Sequence, residues 1–176
     1  MKKFLIAGLM LLPFAANAAA PFVGYYQTID DKTNSPKSIV RLYECTEIDD
    51  DRDLDAALCG RIVALYDDNG IADSKSEKIA TEVAGSPKMV GMDILWNMEY
   101  DADDNEYGDG KILDPKSGSV YSSVMWQEKD EPTKIRVRGK IGPFGRTQVW
   151  NIMSESDLPT ELKGLDTSKW TPKIVK

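Results

Sequence analysis

Two stretches of this chain alternate apolar and polar residues at every second position, and a chain that does so over long runs has few folds open to it. In MVGMDILWNMEY, Val90, Met92, Ile94, Trp96, Met98 and Tyr100 share one side, while Asp93, Asn97 and Glu99 share the other. TKIRVRGKI repeats the pattern, with Ile135, Val137 and Ile141 opposite Lys134, Arg136, Arg138 and Lys140. Runs of this period predict long antiparallel strands with one dry and one wet face. Weaker versions occur at Phe22 to Ile29, Lys37 to Cys45, Cys59 to Tyr66, Lys111 to Leu113, Ser119 to Glu128 and Gly145 to Met153. The expected fold is therefore all-β, with eight strands in sequence joined mostly by short turns.

One connection is long, from Asp67 to Lys88. Within it Ser74 and Glu77 have capping-box spacing, Ile79, Ala80 and Val83 recur at helical spacing, and Gly85 and Pro87 are stop signals. This pattern predicts one short helix. Beyond Met153 the tail carries a helical turn ending near Gly164, expected to pack on the outside of the domain.

The start of the chain reads as a leader. Lys2 and Lys3 precede the apolar run Phe4 to Phe14, and Ala16-Asn17-Ala18 offers the small-x-small pattern of a signal-peptidase site. The run is too short to span a bilayer as a mature helix, which takes about 20 residues. No cysteine follows it, which argues against a lipoprotein anchor. Cleavage is expected after Ala18, with Ala20 as a second position, giving a periplasmic or secreted product without membrane insertion. Residues 1–18 are thus expected to be a signal peptide, 19–153 the all-β domain and 154–176 a C-terminal extension.

Charge and composition then remove whole classes of function. The formal charge is −7, and losing the leader takes away two lysines. So acidic a chain repels phosphate backbones, which makes nucleic acid a poor partner. There is no histidine, so Ser-His and Cys-His nucleophile pairs and imidazole metal sites are absent. Two cysteines, Cys45 and Cys59, remain. In an oxidising compartment such a pair reads as a disulfide clipping the base of the acidic loop TEIDDDRDLDAAL; the bland alternative is two buried thiols.

The segment DADDNEYGDGKILDPKSG tests for a metal. Asp101, Asp103 and Asn105 alternate like calcium ligands, but Glu106 occupies the position where an EF-hand loop needs glycine, and Ile112 the position of its bidentate glutamate. Its flanks are strands rather than helices. Three ligand-like positions remain, enough for weak calcium binding at most, and no metal or cofactor is expected. The second half is a turn: Asp114 accepts backbone N–H bonds, Pro115 presets the next backbone angle, and Gly118 takes the left-handed conformation of a hairpin loop.

The runs GDGKILDPKSGSVY and GKIGPFGRTQVW resemble the two signatures of an exported bacterial family, Domain of Unknown Function 2147. Weaker likeness extends through SIVRLYEC, GRIVAL and MVGMDILW. The resemblance implies a lipocalin-like (calycin) up-and-down antiparallel barrel whose cup takes a small apolar ligand, and the count of eight strands agrees with it. Lipocalins typically begin with Gly-x-Trp, the tryptophan packing under an arginine from a late strand. Here Gly24-Tyr25-Tyr26 puts Tyr26 in the tryptophan's place, and Arg146 is the candidate arginine for a closing cation–π contact.

Three functional readings follow. The first is a non-enzymatic barrel binding a small apolar ligand, with Met92, Ile94, Trp96, Met98 and Trp126 as candidate pocket wall, set against ordinary filled core. The second is a module for another exported protein, acting through the basic stripe Lys134, Arg136, Arg138 and Lys140. The third is a carboxylate-dependent hydrolase, for which no acid pair has the required placement across a cleft.

Overall fold

Among the described residues nine strands form one antiparallel sheet: β1 (Gly24–Asp30), β2 (Ser35–Cys45), β3 (Ala57–Tyr66), β4 (Ala72–Asp73), β5 (Asp93–Asp101), β6 (Glu106–Asp114), β7 (Ser119–Trp126), β8 (Lys134–Ile141) and β9 (Phe144–Met153). The computed structural model describes residues 22–45 and 57–175. The expected leader and most of the acidic loop between the cysteines lie outside the described residues. The strand order is β2-β1-β9-β8-β7-β6-β5-β3-β4, and an additional β2–β3 pairing closes the ring. Leaving out the two-residue β4, each strand pairs with the next in sequence and the last with the first. This is a closed eight-stranded up-and-down barrel, which leaves no free edge along those strands.

Residues paired across neighbouring strands share a face, so the register maps the interior. Leu42, Gly60, Leu95, Ile112 and Tyr121 form one row across β2, β3, β5, β6 and β7. Tyr107, Met125, Val137 and Gln148 form another across β6 to β9. Gly60 is required in the first row: a Cβ there would lie 2.9 Å from Leu42 Cδ2 and 3.0 Å from Leu95 Cβ. One end of the barrel is solidly packed, with Leu58, Met98, Tyr107, Met125, Ile135 and Trp150 all essentially without solvent contact. Phe22 closes that end, its ring 5.6 Å from Tyr107, and the Tyr26 hydroxyl donates to the Phe22 carbonyl at 2.9 Å.

The period-two reading fails along β5 and β6, for a local reason. Asn97 and Asp109 both adopt positive φ, 54° and 51°, a conformation that Asn and Asp tolerate better than other side chains. Each adds a residue to its strand, so five positions rather than an even number separate Leu95 from Tyr100 and Tyr107 from Ile112 within the paired ladder. These paired bulges turn the alternation over halfway along β5 and β6. Leu95 and Met98 face inward, and Trp96, paired with Lys111, faces out. β6 is also longer than the short strand expected at Lys111 to Leu113.

The short helix expected between Ser74 and Gly85 is not formed. The Ala80 N–H donates to the Pro87 carbonyl and the Met89 N–H to the Lys78 carbonyl, each at 2.9 Å, and Ile79 bridges Lys88. Two successive turns, Ala80 to Val83 and Val83 to Ser86, complete a tight loop. It buries Ala80 and Val83 but leaves Ile79 exposed. Three apolar positions do not offset the cost of nucleating an isolated helix, whereas the antiparallel bridge satisfies the same backbone groups at once. The tail has two 3-10 turns, Glu155–Asp157 and Thr160–Leu162. Leu158 and Leu162 are buried with Ile39, Val63 and Ala64 on the outer side of β2 and β3. That explains why nearly every residue of β3 is buried: its inner face meets the core and its outer face meets the tail.

Burial has a consequence at high pH. It pushes the hydroxyls of Tyr26 and Tyr43 far above their ordinary value, and that of Tyr107 up to about 12. A raised pKa here means that the folded chain keeps these groups neutral. Their contribution to stability is complete below the ordinary tyrosine value near 10 and is lost as pH rises above it, because the unfolded chain ionises first. Urea midpoints are expected to stay level from pH 7 to 9 and to fall steeply above pH 10. Tyrosinate absorbance should rise in two waves, the second coinciding with unfolding. A single wave ahead of unfolding would refute the assignment.

Candidate ligand-binding groove

Turning the alternation over at Asn97 moves apolar surface from the barrel interior to its outside. Trp96 on β5, Leu113 on β6 and Val120 on β7 lie on the outer face, where Leu113 pairs with Val120. Two other segments rise beside them: the loop residues Glu82, Val83 and Ala84, and Ile174 and Val175 of the tail. Together they enclose a groove of about 500 Å³, within the ~300–1,000 Å³ range of small-molecule sites. Its polar edge is Lys111 and Asn97. The Asn97 Oδ1 is shielded from solvent without a hydrogen-bond partner.

Both extra walls are fixed by specific contacts. The loop lies on the β6–β7 turn, where Gly118 has φ 69° and any Cβ would strike the Glu82 backbone carbonyl. In that turn Asp114 Oδ1 accepts the Lys116 N–H at 2.9 Å, and the Asp114 carbonyl accepts the Gly118 N–H at 2.9 Å across Pro115. The tail is held by a buried ion pair. Arg61 Nη2 lies 2.7 Å from Asp93 Oδ2 and 2.6 Å from the Thr171 carbonyl. The Lys173 N–H donates to Asp93 Oδ2 at 2.5 Å, and the Asp93 N–H to the Lys173 carbonyl at 3.1 Å. The Trp170 ring covers the guanidinium at 4.4 Å, and Tyr43 meets Trp170 edge-on. None of the side-chain polar atoms of Arg61, Asp93 or Tyr43 is buried without a hydrogen-bond partner.

The candidate residues read from the sequence fall in three places. Met92, Ile94 and Met98 belong to the buried apolar cluster, of which Trp96 is also a member. Trp96 is the floor of the groove. Trp126 lines a second, more open depression with Val124, Arg138 and Lys140, and its indole N–H donates to Glu128 at 2.8 Å. The bulge separates Trp96 from Met98, so these five do not form one wall. Arg146 does not pack on Tyr26. It ion-pairs with Asp31, whereas Tyr26 pairs with Ile152, six positions further along β9. At ~3.3 Å per residue that is roughly 20 Å away. The ring beside Tyr26 is Trp150, at 6.5 Å.

Other sequence features have local explanations. Cys45 and Cys59 are joined in a disulfide, with 5.6 Å between their Cα atoms. Asp101 Oδ1 accepts the N–H of Asp103 at 2.9 Å, and the Tyr100 hydroxyl donates to Asn105, so the calcium-like run is the β5–β6 turn. Among the described residues no three acidic or thiol side chains cluster to hold a metal. In the basic stripe, Lys134 and Arg136 are both engaged by Glu131. Leu113, Val120, Lys111 and the tail residues were not singled out from the sequence. Val120 shares a strand face with Val124 and Trp126 at two-residue spacing, while Ile174 and Val175 carry no such signal.

The comparisons with known proteins follow the barrel. Protein HP1028 from the human pathogen Helicobacter pylori, described as belonging to the lipocalin family, superposes with a TM-score of 0.51 at 18% identity, covering 79% of this chain and 86% of that one. At that identity the likeness concerns the fold. No curated protein matches the sequence. A family profile matches residues 24–151, from the first residue of β1 almost to the end of β9 and through both signature runs. The chain belongs to the bacterial family Domain of Unknown Function 2147, described as an uncharacterized protein conserved in bacteria.

Proposed function

We propose that this protein is an exported, non-catalytic binder of a small apolar ligand, and that the ligand lies in the outer groove floored by Trp96. The observation that carries the reading is the groove itself: apolar side chains from three strands, a loop and the tail converge on about 500 Å³ of space. The closed end of the barrel, by contrast, is occupied by its own side chains. A flat indole with aliphatic neighbours gives contact area to an apolar guest at small entropic cost. Export is supported by the leader pattern together with the Cys45–Cys59 bridge.

Native mass spectrometry of protein purified gently from the exported fraction tests this directly. A mass excess is expected that disappears on denaturation and yields an apolar compound. Val120 is half-exposed on the rim, so Val120→Asp should fold normally and lose at least tenfold in affinity by placing a charge against the ligand. A bare protein mass, together with no calorimetric response to fatty acids, fatty alcohols or isoprenoids, would end the proposal.

A further inference from the structure

The groove has a polar edge as well as an apolar floor, and that edge carries chemical information. Lys111 is exposed on β6, beside Trp96 on the neighbouring strand. Its ammonium lies 3.5 Å from the Ser122 hydroxyl. Among the described residues no carboxylate ion-pairs with it. The acid that lines the groove, Glu82, accepts the Thr81 hydroxyl at 3.4 Å. The rest of the lining is apolar apart from Asn97, whose carboxamide oxygen has no partner.

We infer that the groove takes a single-chain amphiphile with an anionic head group, its chain against Trp96, Val83, Leu113 and Ile174 and its head at Lys111; this rests on the apolar-binding reading above. The reason is a mismatch of charge. On an acidic protein an ammonium that lines an apolar trough, with no ion-pair partner among the described residues, is a place where a carboxylate or phosphate gains a charge-assisted hydrogen bond. A neutral head gains only an ordinary one, and a cationic head meets repulsion. The site is on the outside of the barrel wall, between it and the tail, and not in the cup.

The test is a matched series of one chain length: dodecanoate, dodecanol and dodecylamine, each titrated calorimetrically into the full mature protein below its aggregation concentration. Dodecanoate is expected to bind about tenfold tighter than dodecanol, the size of one charge-assisted contact. In Lys111→Gln the ratio between the two should fall close to one, and Lys111→Arg should keep it. Raising ionic strength should shrink the ratio in the unaltered protein and leave it flat in Lys111→Gln. Equal affinities for all three heads would overturn the head-group inference while leaving apolar binding intact. Tightest binding of dodecylamine would overturn it too, placing the head at Glu82. Failure of all three to bind would instead overturn the proposed function.

Discussion

Asp93→Ala is expected to cost about 3–5 kcal/mol of stability, the largest effect of any single substitution considered for this protein. Asp93 is fully buried and Arg61 nearly so. Removing the carboxylate leaves a guanidinium in apolar surroundings with its Thr171 contact, the two rings and the Tyr43 hydroxyl, to which it donates at 3.1 Å, but without its counter-charge. The Lys173 N–H loses its acceptor in the same step. Urea denaturation followed by tryptophan fluorescence measures the loss. Trypsin gives a second readout: Lys169 and Lys173 are exposed, but the docked backbone around Trp170 is held by hydrogen bonds, and a loosened tail frees it to enter the protease. The cost comes from leaving one charge stranded rather than from any large net value of the pair. The double replacement Arg61→Met with Asp93→Leu should therefore recover most of the stability. If Asp93→Ala melts within about 1 kcal/mol of the unaltered protein, the clamp is not what holds the tail.

Removing the disulfide is the second large effect. The bridge joins residues 14 apart in sequence, and closing a loop of that size stabilises by ~3 kcal/mol in the chain-entropy model. Cys45→Ala with Cys59→Ala should lower stability by about that amount in urea. Reduction of the unaltered protein in urea should reach the same midpoint. Both cysteines are buried, Cys59 completely, so a reductant reaches the bridge only when the barrel opens. Reduction under native conditions should track global unfolding and be slow. Fast reduction with the barrel intact would show that this corner opens by itself.

The barrel was legible because each of its strands writes its own pattern. Val137 and Ile135 alternate with Arg136 and Arg138, and the Asp114-Pro115 turn with Gly118 names its own geometry. The site was less legible because it depends on departures from pattern. Reading β5 at strict period two puts Trp96 beside Met98, and only the left-handed backbone at Asn97 and Asp109 separates them. Nothing local in MVGMDILWNMEY requires that conformation. The clamp was invisible for a different reason. Arg61 and Asp93 are 32 residues apart, and Trp170 comes from a segment that carries no strand or helix signal. The missing helix shows the converse error: Ser74 to Gly85 satisfies helical spacing, yet backbone pairing between Lys78 and Met89 competes and wins.

The tail is a wall of the groove at one end and the partner of Arg61 and Asp93 a few residues before it. Occupancy of the one and docking of the other are then a single linked equilibrium. Whatever fills the groove favours the docked tail by its own binding free energy, RT ln(1 + [L]/Kd). By reciprocity, whatever loosens the tail lowers affinity for the ligand by the same factor. If the groove holds the proposed ligand, a protease or competitor acting on the stretch around Trp170 would therefore release it without touching the groove.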